Sequence, residues 1–379
     1  MAIKVVISVI SDLNTDQRVH RTAHALQQMG FDVCVVGRLL PNSKPLSRGY
    51  KTVRFKLWFT KGPLFYFFYN LRLFFYLYGY KPAALHANDL DTLLPNFLIS
   101  KWFNIPLVYD SHEFFTGVPE LQNRKWVRLI WEKIEEAIFP KLKFVSTVNA
   151  SIANLYQSKY NVQVSVIRNV PMAVEYHNED KIALRQKLSL PKHAFIAILQ
   201  GNGINVHRGA EQAVAAMQFV DACLIIAGNG DVLPQLKQMV ADLNLSDKVI
   251  FKPSMPFADL CKYTMAADLG LTLDLDTNLN YKLSLPNKLF DYIQCRIPIL
   301  ASNLVEVAKI IKTYDIGITI NKVVPLDIAK AIHQIKGDDY IQEKWKMNLE
   351  QAALDLTWFN EKQVFCTLIE KAFGNPLSN

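Results

Sequence analysis

The sequence has no uninterrupted apolar run of the ~18 residues that a membrane-spanning helix requires. Its most aromatic stretch, residues 58–80, is broken by Asn70 and Arg72. The first ten residues lack the basic region, the long apolar core and the cleavage site of a secretory signal peptide. These absences predict a cytoplasmic protein without a spanning segment, whose chain begins with a β-strand.

Cysteine is scarce and follows no metal-binding pattern. The five cysteines, at positions 34, 223, 261, 295 and 366, show neither CxxC nor metal-ligand spacing, which predicts reduced core thiols in the cytosol. The GxGxxG fingerprint is missing after the first predicted strand of either half, which disfavours a dehydrogenase. No basic-aromatic recognition motif is present either, which argues against nucleic acid as a partner.

The chain is long and apolar enough for two domains, and its charge is unevenly distributed. It has 379 residues, of which 50% are hydrophobic, and a net charge of +8. Residues 1–171 carry 21 Lys and Arg against 11 Asp and Glu, whereas the remainder carries 21 against 23. The first half therefore has a net charge of +10, which indicates an anionic partner such as a membrane surface or an acidic substrate.

Short β-branched runs alternate with helical patterns along the whole chain, which is typical of βαβ units and parallel sheets. This alternation predicts an α/β protein with two tandem Rossmann-like, doubly wound domains and a cleft between them. We expect a first domain at 1–171, a second at 172–355 and a final helical segment at 356–379 that packs on the first domain. The loosened pattern at 169–190 marks the linker. The predicted strands are 3–10, 31–37, 52–57, 83–87, 106–110, 144–149 and 164–167 in the first domain, then 194–199, 222–227, 248–251, 268–273, 298–301 and 317–320.

Polar clusters follow three predicted strands of the first half, where ligands of such sheets bind. The loop 11–21 contains Asp12, Asp16 and Arg18, and it can hydrogen-bond hydroxyl groups. A helix N-cap is the favoured role for Asp16. Asp89 and His112 follow the fourth and fifth strands, and His112 stands between acidic neighbours, which makes it a catalytic candidate.

The second half contains glycine-rich turns suited to a diphosphate. Gly201 and Gly203 end its first strand, Arg208 precedes the next predicted helix, and Gly228 ends the next strand. Glycines permit close approach of the backbone, and an arginine at a helix start attracts an anion. A plain tight turn with a surface Arg208 is the alternative.

Residues 284–296 predict a helix with Ser284 as its N-cap and a proline in its first turn. Lys288 adds a cation at the N-terminal end of this helix, which itself favours anions. Asn287 and Asp291 share one face, and the Asp291 carboxylate can accept hydrogen bonds from two vicinal hydroxyls, as on a ribose. An ordinary amphipathic helix with solvated Lys288 and Asp291 is the alternative.

Two Asp-x-Asp matches, at 89–91 and 274–276, have the form of a divalent-metal motif. Neither match comes with a further ligand cluster, so we predict no metal site.

Residues 58–80 contain twelve aromatic side chains. They predict either a helix buried on both sides or an interfacial helix with basic flanks. The helix packed in the core is the favoured interpretation.

The order of these parts resembles a GT-B glycosyltransferase, specifically glycosyltransferase family 4. The resemblance covers nearly the whole chain and rests on segments 11–38, 108–113 (VYDSHE), 201–209 (GNGINVHRG), 227–231 (AGNGD), 245–253 and 284–302 (SLPNKLFDYIQCRIPILAS). It implies a nucleotide-sugar donor, UDP- or GDP-linked, in the second domain, and a glycan or lipid-linked acceptor in the first. The expected acceptor-binding residues are Asp12, Asp16, Arg18 and Asp89. The resemblance further implies retention at the anomeric carbon, no metal and no resident cofactor.

The resemblance also implies roles for single residues. Asp291 matches the second acid of the family's Glu-x7-Glu motif, which holds the ribose, and Arg208 matches the basic residue that holds the diphosphate, with Lys288 assisting. His112 resembles the histidine that lies beside the transferred sugar. The first acid of the motif is replaced by Leu283, which leaves the contact to the donor sugar open. A nucleotide-sugar epimerase of similar fold and a non-catalytic partner subunit remain alternatives. The basic first half and residues 58–80 extend the prediction to peripheral binding at the cytoplasmic face of a membrane, in cell-envelope polysaccharide synthesis.

Overall fold

The computed structural model describes residues 2–118, 121, 124–174 and 180–376. Residues 175–179 of the predicted linker lie outside the described residues. The chain divides into two compact units, Met1–Asn169 with Phe359–Asn379, and Val170–Trp358. They are called the first and the second domain below.

The first domain is built around one parallel sheet. Its strands are paired in the order β3-β2-β1-β4-β5-β6-β7. The side chains of Val5, Val6 and Ile7 in β1 are all fully buried, so the central strand is covered on both faces, as expected for a parallel sheet. The elements are β1 (Lys4–Asp12), α1 (Gln17–Gln28), β2 (Asp32–Leu39), β3 (Lys51–Lys56), α2 (Pro63–Tyr80), β4 (Ala84–Asn88), α3 (Leu90–Phe103), β5 (Leu107–Ser111), α4 (Lys125–Ile138), β6 (Phe144–Thr147), α5 (Ala150–Tyr160) and β7 (Val164–Val166).

The second domain repeats this plan with a sheet of order β10-β9-β8-β11-β12-β13. Alternate residues of β8 enter different cores: Ala197 and Leu199 join one hydrophobic cluster, and Ile196 and Ile198 join another. Helices therefore cover both faces of the sheet. The elements are α6 (Lys181–Lys187), β8 (Ile196–Gly201), α7 (Ala210–Ala216), β9 (Cys223–Gly228), α8 (Leu233–Asp242), β10 (Val249–Lys252), α9 (Phe257–Ala266), β11 (Leu269–Thr272), α10 (Leu279–Lys282), α11 (Asn287–Gln294), β12 (Ile299–Ser302), α12 (Val305–Tyr314), β13 (Gly317–Ile320), α13 (Pro325–Lys336), α14 (Asp339–Asp355) and, leading back to the first domain, α15 (Trp358–Phe373).

The predicted fold class is confirmed, since all thirteen predicted strands are present within about two residues and their pairings are parallel in both sheets. Helix α15, Trp358–Phe373, lies within the predicted final helical segment 356–379. Within the first domain it contacts β4 through Phe365, whose ring lies 6.1 Å from that of His86. The ring of Phe373 lies 6.0 Å from that of Phe31, the residue before β2.

The predicted start of the helix at Ser284 is wrong. Helix α11 begins at Asn287, and Pro286 is its N-cap with an extended backbone (φ −70°, ψ 140°). The hydroxyl of Ser284 instead donates to the carbonyl of Tyr281 at 2.9 Å and closes the short helix α10. A residue that precedes proline disfavours helical backbone angles, which explains why the helix cannot extend back through Leu285.

Candidate functional site

Each sheet has a point where its strand order reverses. In the second domain β8 and β11 are neighbours, with β9 and β12 on their outer sides, and in the first domain β1 and β4 hold the same position. Ligands of open α/β sheets bind outside the carboxyl ends of the strands at such a point. The residues that follow these four strands, and β5 beside β4, are therefore the candidate sites of the two domains.

In the second domain the predicted cations Arg208 and Lys288 converge on one carboxylate. Nη1 of Arg208 lies 3.0 Å from Oδ2 of Asp274, and Nζ of Lys288 lies 3.3 Å from Oδ1 of the same residue. The guanidinium of Arg208 also stacks over the ring of Tyr281, 4.2 Å from its centroid. The structure thus brings together two residues that are far apart in sequence, and adds Asp274 and Tyr281, which sequence reasoning had not assigned to the site.

The charges of the two cations respond differently to their surroundings. Burial lowers the pKa of the Lys288 ammonium, since the Asp274 carboxylate only partly offsets burial and the charge of Arg208 acts in the same direction as burial. Burial also opposes the charge of Arg208, but there the Asp274 carboxylate prevails and the pKa is raised. Of the two cations, Lys288 is therefore the one whose charged form is disfavoured by its surroundings.

Asp291 lies one turn further along α11 and is held from the end of β8. Its Oδ2 accepts a hydrogen bond from Nε2 of Gln200 at 3.1 Å, and Oε1 of Gln200 accepts one from the hydroxyl of Thr264 at 2.7 Å. The hydroxyl of Tyr292 donates to the carbonyl of Leu271 at 3.0 Å. These bonds fix α11 against β8 and β11, so Asp291 is held at the carboxyl ends of both strands.

The glycine-rich turns after β8 and β9 are joined to each other. The amide of Asn229 donates to the carbonyl of Gly201 at 3.0 Å, and the amide of Ile204 donates to the carbonyl of Asn229 at 2.9 Å. Gly228 has φ +135°, and a Cβ on it would lie 1.8 Å from the carbonyl oxygen of Gly201. Gly228 is thus required by the packing of two loops, whereas Gly201 and Gly203 have space around their Cα atoms.

We expect Gly228→Ala to lower the stability of the second domain by roughly 2–6 kcal/mol, because a glycine-only backbone region and a steric overlap each cost about 1–3 kcal/mol. Thermal unfolding measures the effect. Gly203→Ala is the matched control, since the nearest atom to its added Cβ is 4.0 Å away. Equal melting temperatures for the two variants would contradict the close packing of the two turns.

In the first domain His112 lies among three acceptors. Its Nδ1 is 3.2 Å from Oδ2 of Asp89, and its Nε2 is 3.1 Å from Oδ1 of Asn88 and 3.3 Å from Oδ2 of Asp110. Burial opposes protonation, but the two carboxylates prevail and raise the pKa of His112 to about 9. The ring is therefore an imidazolium at neutral pH, and both of its N–H groups point at acceptors within the domain.

Asp89 holds this arrangement from a strained position. Its backbone has φ +58° and ψ 165°, a region that is essentially restricted to glycine. Three hydrogen bonds fix it: its amide donates to the carbonyl of Asp110, and its carboxylate accepts from the amide and from Nδ1 of His112. Such strain is concentrated at functional sites in proteins, which is consistent with the prediction of Asp89 as a site residue.

Arg18 has a different role from the predicted contact with an acceptor. Its side chain is 3% exposed, and its Nε and Nη2 donate to the two carboxylate oxygens of Asp110 at 2.8 and 2.7 Å. Nη1 donates to the carbonyl of Ile167. All three guanidinium nitrogens thus donate to groups inside the domain. Arg18 therefore positions Asp110, and through Asp110 it positions His112.

The other two predicted acceptor residues shape the loop after β1. The carboxylate of Asp16 accepts from the amide of Val19 at 3.0 Å and is the N-cap of α1, the role that the sequence favours. Asp12 accepts hydrogen bonds from the amide of Asn14 and from the hydroxyl of Ser43. Their carboxylates thus order the loop at the strand end.

The two Asp-x-Asp matches are engaged by cations of the chain. Asp89 is bound by His112, and Asp274 by Arg208 and Lys288. Across residues 2–118, 121, 124–174 and 180–376, no group of three or more His, Cys, Asp and Glu side chains is arranged to hold a metal ion.

Each of the two domains matches a known family of proteins. Residues 16–175 match the model of Glycosyltransferase Family 4, and residues 180–352 match that of Glycosyl transferases group 1. The structure of sucrose-phosphate synthase from Thermosynechococcus elongatus is similar with a TM-score of 0.81 at 17% sequence identity, over 98% of this chain and 99% of that one. No curated protein sequence matches the chain.

Two further solved structures share the fold. HepE of Anabaena in complex with UDP-glucose has a TM-score of 0.73 at 14% identity, over 97% of this chain and 99% of that one. WaaG, a glycosyltransferase involved in lipopolysaccharide biosynthesis, has a TM-score of 0.70 at 14% identity, over 98% and 100%. At these identities the similarity establishes the GT-B fold.

Proposed function

Because its first domain belongs to Glycosyltransferase Family 4 and its second to Glycosyl transferases group 1, the chain is a glycosyltransferase, and we propose that it transfers a sugar from a UDP- or GDP-linked donor to a glycan or lipid-linked acceptor. The proposed reaction retains the configuration of the anomeric carbon and needs no metal ion. Its proposed place is cell-envelope polysaccharide synthesis in the cytoplasm.

One observation carries the donor assignment: Arg208 and Lys288 meet at the end of β11, one turn of helix before Asp291. Two cations beside a carboxylate give the cluster a net positive charge that suits a diphosphate, and Asp291 is placed to accept hydrogen bonds from ribose hydroxyls. The complex of Anabaena HepE with UDP-glucose supports a UDP-linked donor for this chain.

The chemistry that we propose is mainly electrostatic. As the bond to the anomeric carbon breaks, negative charge grows on the departing diphosphate, and Arg208 and Lys288 stabilise it. In the first domain the imidazolium of His112 supplies a fixed positive charge. Its N–H groups are directed at Asp89, Asn88 and Asp110, so we assign it a charge effect and no proton transfer. No side chain of the chain is proposed as a nucleophile.

A coupled assay of the released nucleoside diphosphate tests this function, with UDP- and GDP-sugars as donors and a cell-envelope glycan or lipid extract as acceptor. We expect release that depends on the acceptor and survives excess EDTA, and nuclear magnetic resonance of the product should show the anomeric configuration of the donor. Conversion of the sugar without any acceptor would instead identify an epimerase. Loss of activity in EDTA that magnesium or manganese restores would contradict metal independence.

The structure also bears on the aromatic segment. None of the helices in the described part of the chain combines the length and apolarity that crossing a membrane requires. Helix α2 buries Phe65, Tyr69, Leu73 and Leu77 on one face, so it is not buried on both sides, contrary to the favoured reading. Large exposed side chains of this region and of the neighbouring helices α3 and α4 are Trp58, Phe67, Phe75, Trp102, Trp126 and Ile130.

These helices contact each other, and basic residues lie among the exposed apolar ones. Tyr78 of α2 contacts Trp102 of α3 at 5.9 Å between ring centroids, and Tyr66 contacts Trp131 of α4 at 5.4 Å. Exposed cations on the same segments are Lys61, Arg72, Lys101, Lys125 and Arg128. We propose that the surface formed by these exposed apolar and basic residues binds an anionic leaflet. Exposed aromatic rings insert at the membrane interface, and each nearby cation contributes about 1 kcal/mol to binding.

Liposome flotation measures the proposed attachment. Vesicles with anionic lipid should carry the protein at low salt and release it at high salt, and the variant Trp58→Ser/Phe67→Ser/Phe75→Ser should float about tenfold less. Tyr340→Ser is the matched control, because this aromatic side chain is 81% exposed on the second domain. Absence of flotation at every content of anionic lipid would contradict the membrane proposal and leave the glycosyltransferase family unaffected.

A further inference from the structure

The carboxylate of Asp274 occupies the centre of the donor site. It follows β11 by two residues, and each of its two oxygens faces one cation, Arg208 from the loop after β8 and Lys288 from the first turn of α11. The Asp274 side chain is 1% exposed, whereas those of Arg208 and Lys288 are 28% and 11% exposed. The carboxylate therefore lies behind the cations, and the cations face outward.

The backbone around Asp274 is tied to the backbone around Arg208. The amide of Leu275 donates to the carbonyl of His207 at 2.9 Å. Gly209 has φ +77°, and a Cβ on it would lie 2.3 Å from the carbonyl oxygen of Leu273. The two loops are thus packed too closely for any residue but glycine at 209, and this contact fixes the distance between the carboxylate and the guanidinium.

Two like charges that converge at a partly buried position repel each other and are costly to desolvate. A single carboxylate in contact with both cations offsets this repulsion and leaves a net charge of +1 on the three side chains. A diphosphate can then approach the outer side of the pair, while the carboxylate holds the inner side.

We propose that Asp274 is a positioning residue of the donor site, which holds Arg208 and Lys288 together and keeps both cations available for the diphosphate. The proposal rests on the proposed function of this site. It gives the second Asp-x-Asp match a role that involves no metal ion.

Once the Asp274 carboxylate is replaced by a neutral side chain, the binding of a diphosphate should depend more strongly on pH. The charged groups that face Lys288 are Asp274 and Arg208. The ring of Tyr281 stacks on Arg208, and Asp291, one turn along α11, is bound to Gln200. Burial and Arg208 lower the pKa of Lys288, and Asp274 is the group that opposes them. Without this carboxylate, Lys288 loses its proton at a lower pH than in the wild type.

The test is calorimetric titration of the full chain with inorganic pyrophosphate and with UDP and GDP between pH 6.5 and pH 9. We expect Asp274→Asn to bind these ligands more weakly than the wild type does. Between pH 6.5 and pH 9 its affinity should fall about tenfold more than that of the wild type, because lowering the pKa of Lys288 by one unit lowers its proton affinity tenfold. Asp274→Asn/Lys288→Arg should recover the wild-type pH profile, because a guanidinium stays charged throughout this range.

Two further variants make the result decisive. Asp276→Asn is the control, since Asp276 is exposed and pairs with exposed Lys282, and it should bind as the wild type does. Asp274→Glu retains the buried charge and therefore the fold, and it should keep the wild-type pH profile. It provides the test if Asp274→Asn proves too unstable to measure.

Several outcomes would overturn the proposal. They are Asp274→Asn with wild-type affinity and pH profile, Asp274→Glu with a new pH dependence, or a wild type that binds neither pyrophosphate nor nucleotide. If the wild type and the variants all bound pyrophosphate as expected but bound no nucleotide, the role of Asp274 would stand and the nucleotide-sugar function would fall.

Discussion

Replacing Arg208 with alanine is expected to lower kcat/KM for sugar transfer by about a hundredfold while the second domain keeps its fold. Charge-assisted hydrogen bonds contribute about 1.5–3 kcal/mol each, and those made to a departing diphosphate strengthen in the transition state. Asp291→Ala should lower kcat/KM by roughly ten- to a hundredfold, because it removes the carboxylate that we propose as the hydrogen-bond acceptor of the ribose hydroxyls. Steady-state kinetics with the best donor measures both effects.

Lys336→Ala is the matched control for these variants. Lys336 is a cation of the same domain that pairs with exposed Asp221, and exposed pairs contribute less than about 1 kcal/mol. Its kcat/KM should stay close to that of the wild type. Undiminished nucleotide affinity in both Arg208→Ala and Asp291→Ala would show that the donor site is assigned to the wrong residues.

Replacing Arg18 with methionine is expected to destabilise the first domain by roughly 3–5 kcal/mol, because it leaves the buried carboxylate of Asp110 without its main partner. Arg18 and Asp110 are 3% and 2% exposed and form two parallel hydrogen bonds. Chemical denaturation measures the loss. Arg128→Met, which breaks an exposed pair with Glu132, should cost less than about 1 kcal/mol.

The pH dependence of this loss follows from Asp110. In the wild type, burial would raise the pKa of Asp110, but the charges of Arg18 and His112 prevail and hold it well below its usual range. Its ionisation therefore stabilises the fold above the unfolded-state pKa of about 3.9, and this stability is lost as pH falls through the folded-state value. In Arg18→Met the pKa of Asp110 rises, so the difference from the wild type should shrink from pH 7 to pH 4.

Arg18→Met/Asp110→Asn separates the ion pair from packing. With both charges removed, most of the stability should return, since replacing both members of a buried pair costs far less than breaking it. If the double variant were as unstable as Arg18→Met, loss of packing would explain the effect, and Arg18 would not act by positioning Asp110.

The strands were predictable because their signal is local. Each of the thirteen is a short apolar, β-branched run, and its hydrophobic pattern is visible without any knowledge of its neighbours. The N-cap role of Asp16 was predictable for the same reason, since its carboxylate binds an amide three residues away. The start of α11 was not, because Ser284 is used by a preceding turn of helix that the sequence does not distinguish from loop.

The contacts within the sites were less predictable because they join distant parts of the chain. Arg208 and Asp274 are 66 residues apart, and Arg18 and Asp110 are 92 residues apart. The sequence placed Asp274 only in an Asp-x-Asp match, and its position just after β11 was the signal that could have assigned it to the donor site. Gly209 was likewise visible beside Arg208, but its need to pack on the carbonyl of Leu273 appears only in three dimensions.

The central claim is that the second domain binds the diphosphate of a nucleotide-sugar through Arg208 and Lys288. Calorimetric titration of the wild type with UDP, GDP and ADP, in buffer with excess EDTA, tests it most directly. We expect one of UDP and GDP to bind with 1:1 stoichiometry, and to stabilise the protein against heat by about 2.7 kcal/mol at a hundredfold excess over Kd. Absence of binding for all three nucleotides, or binding only after a divalent metal is added, would contradict the account.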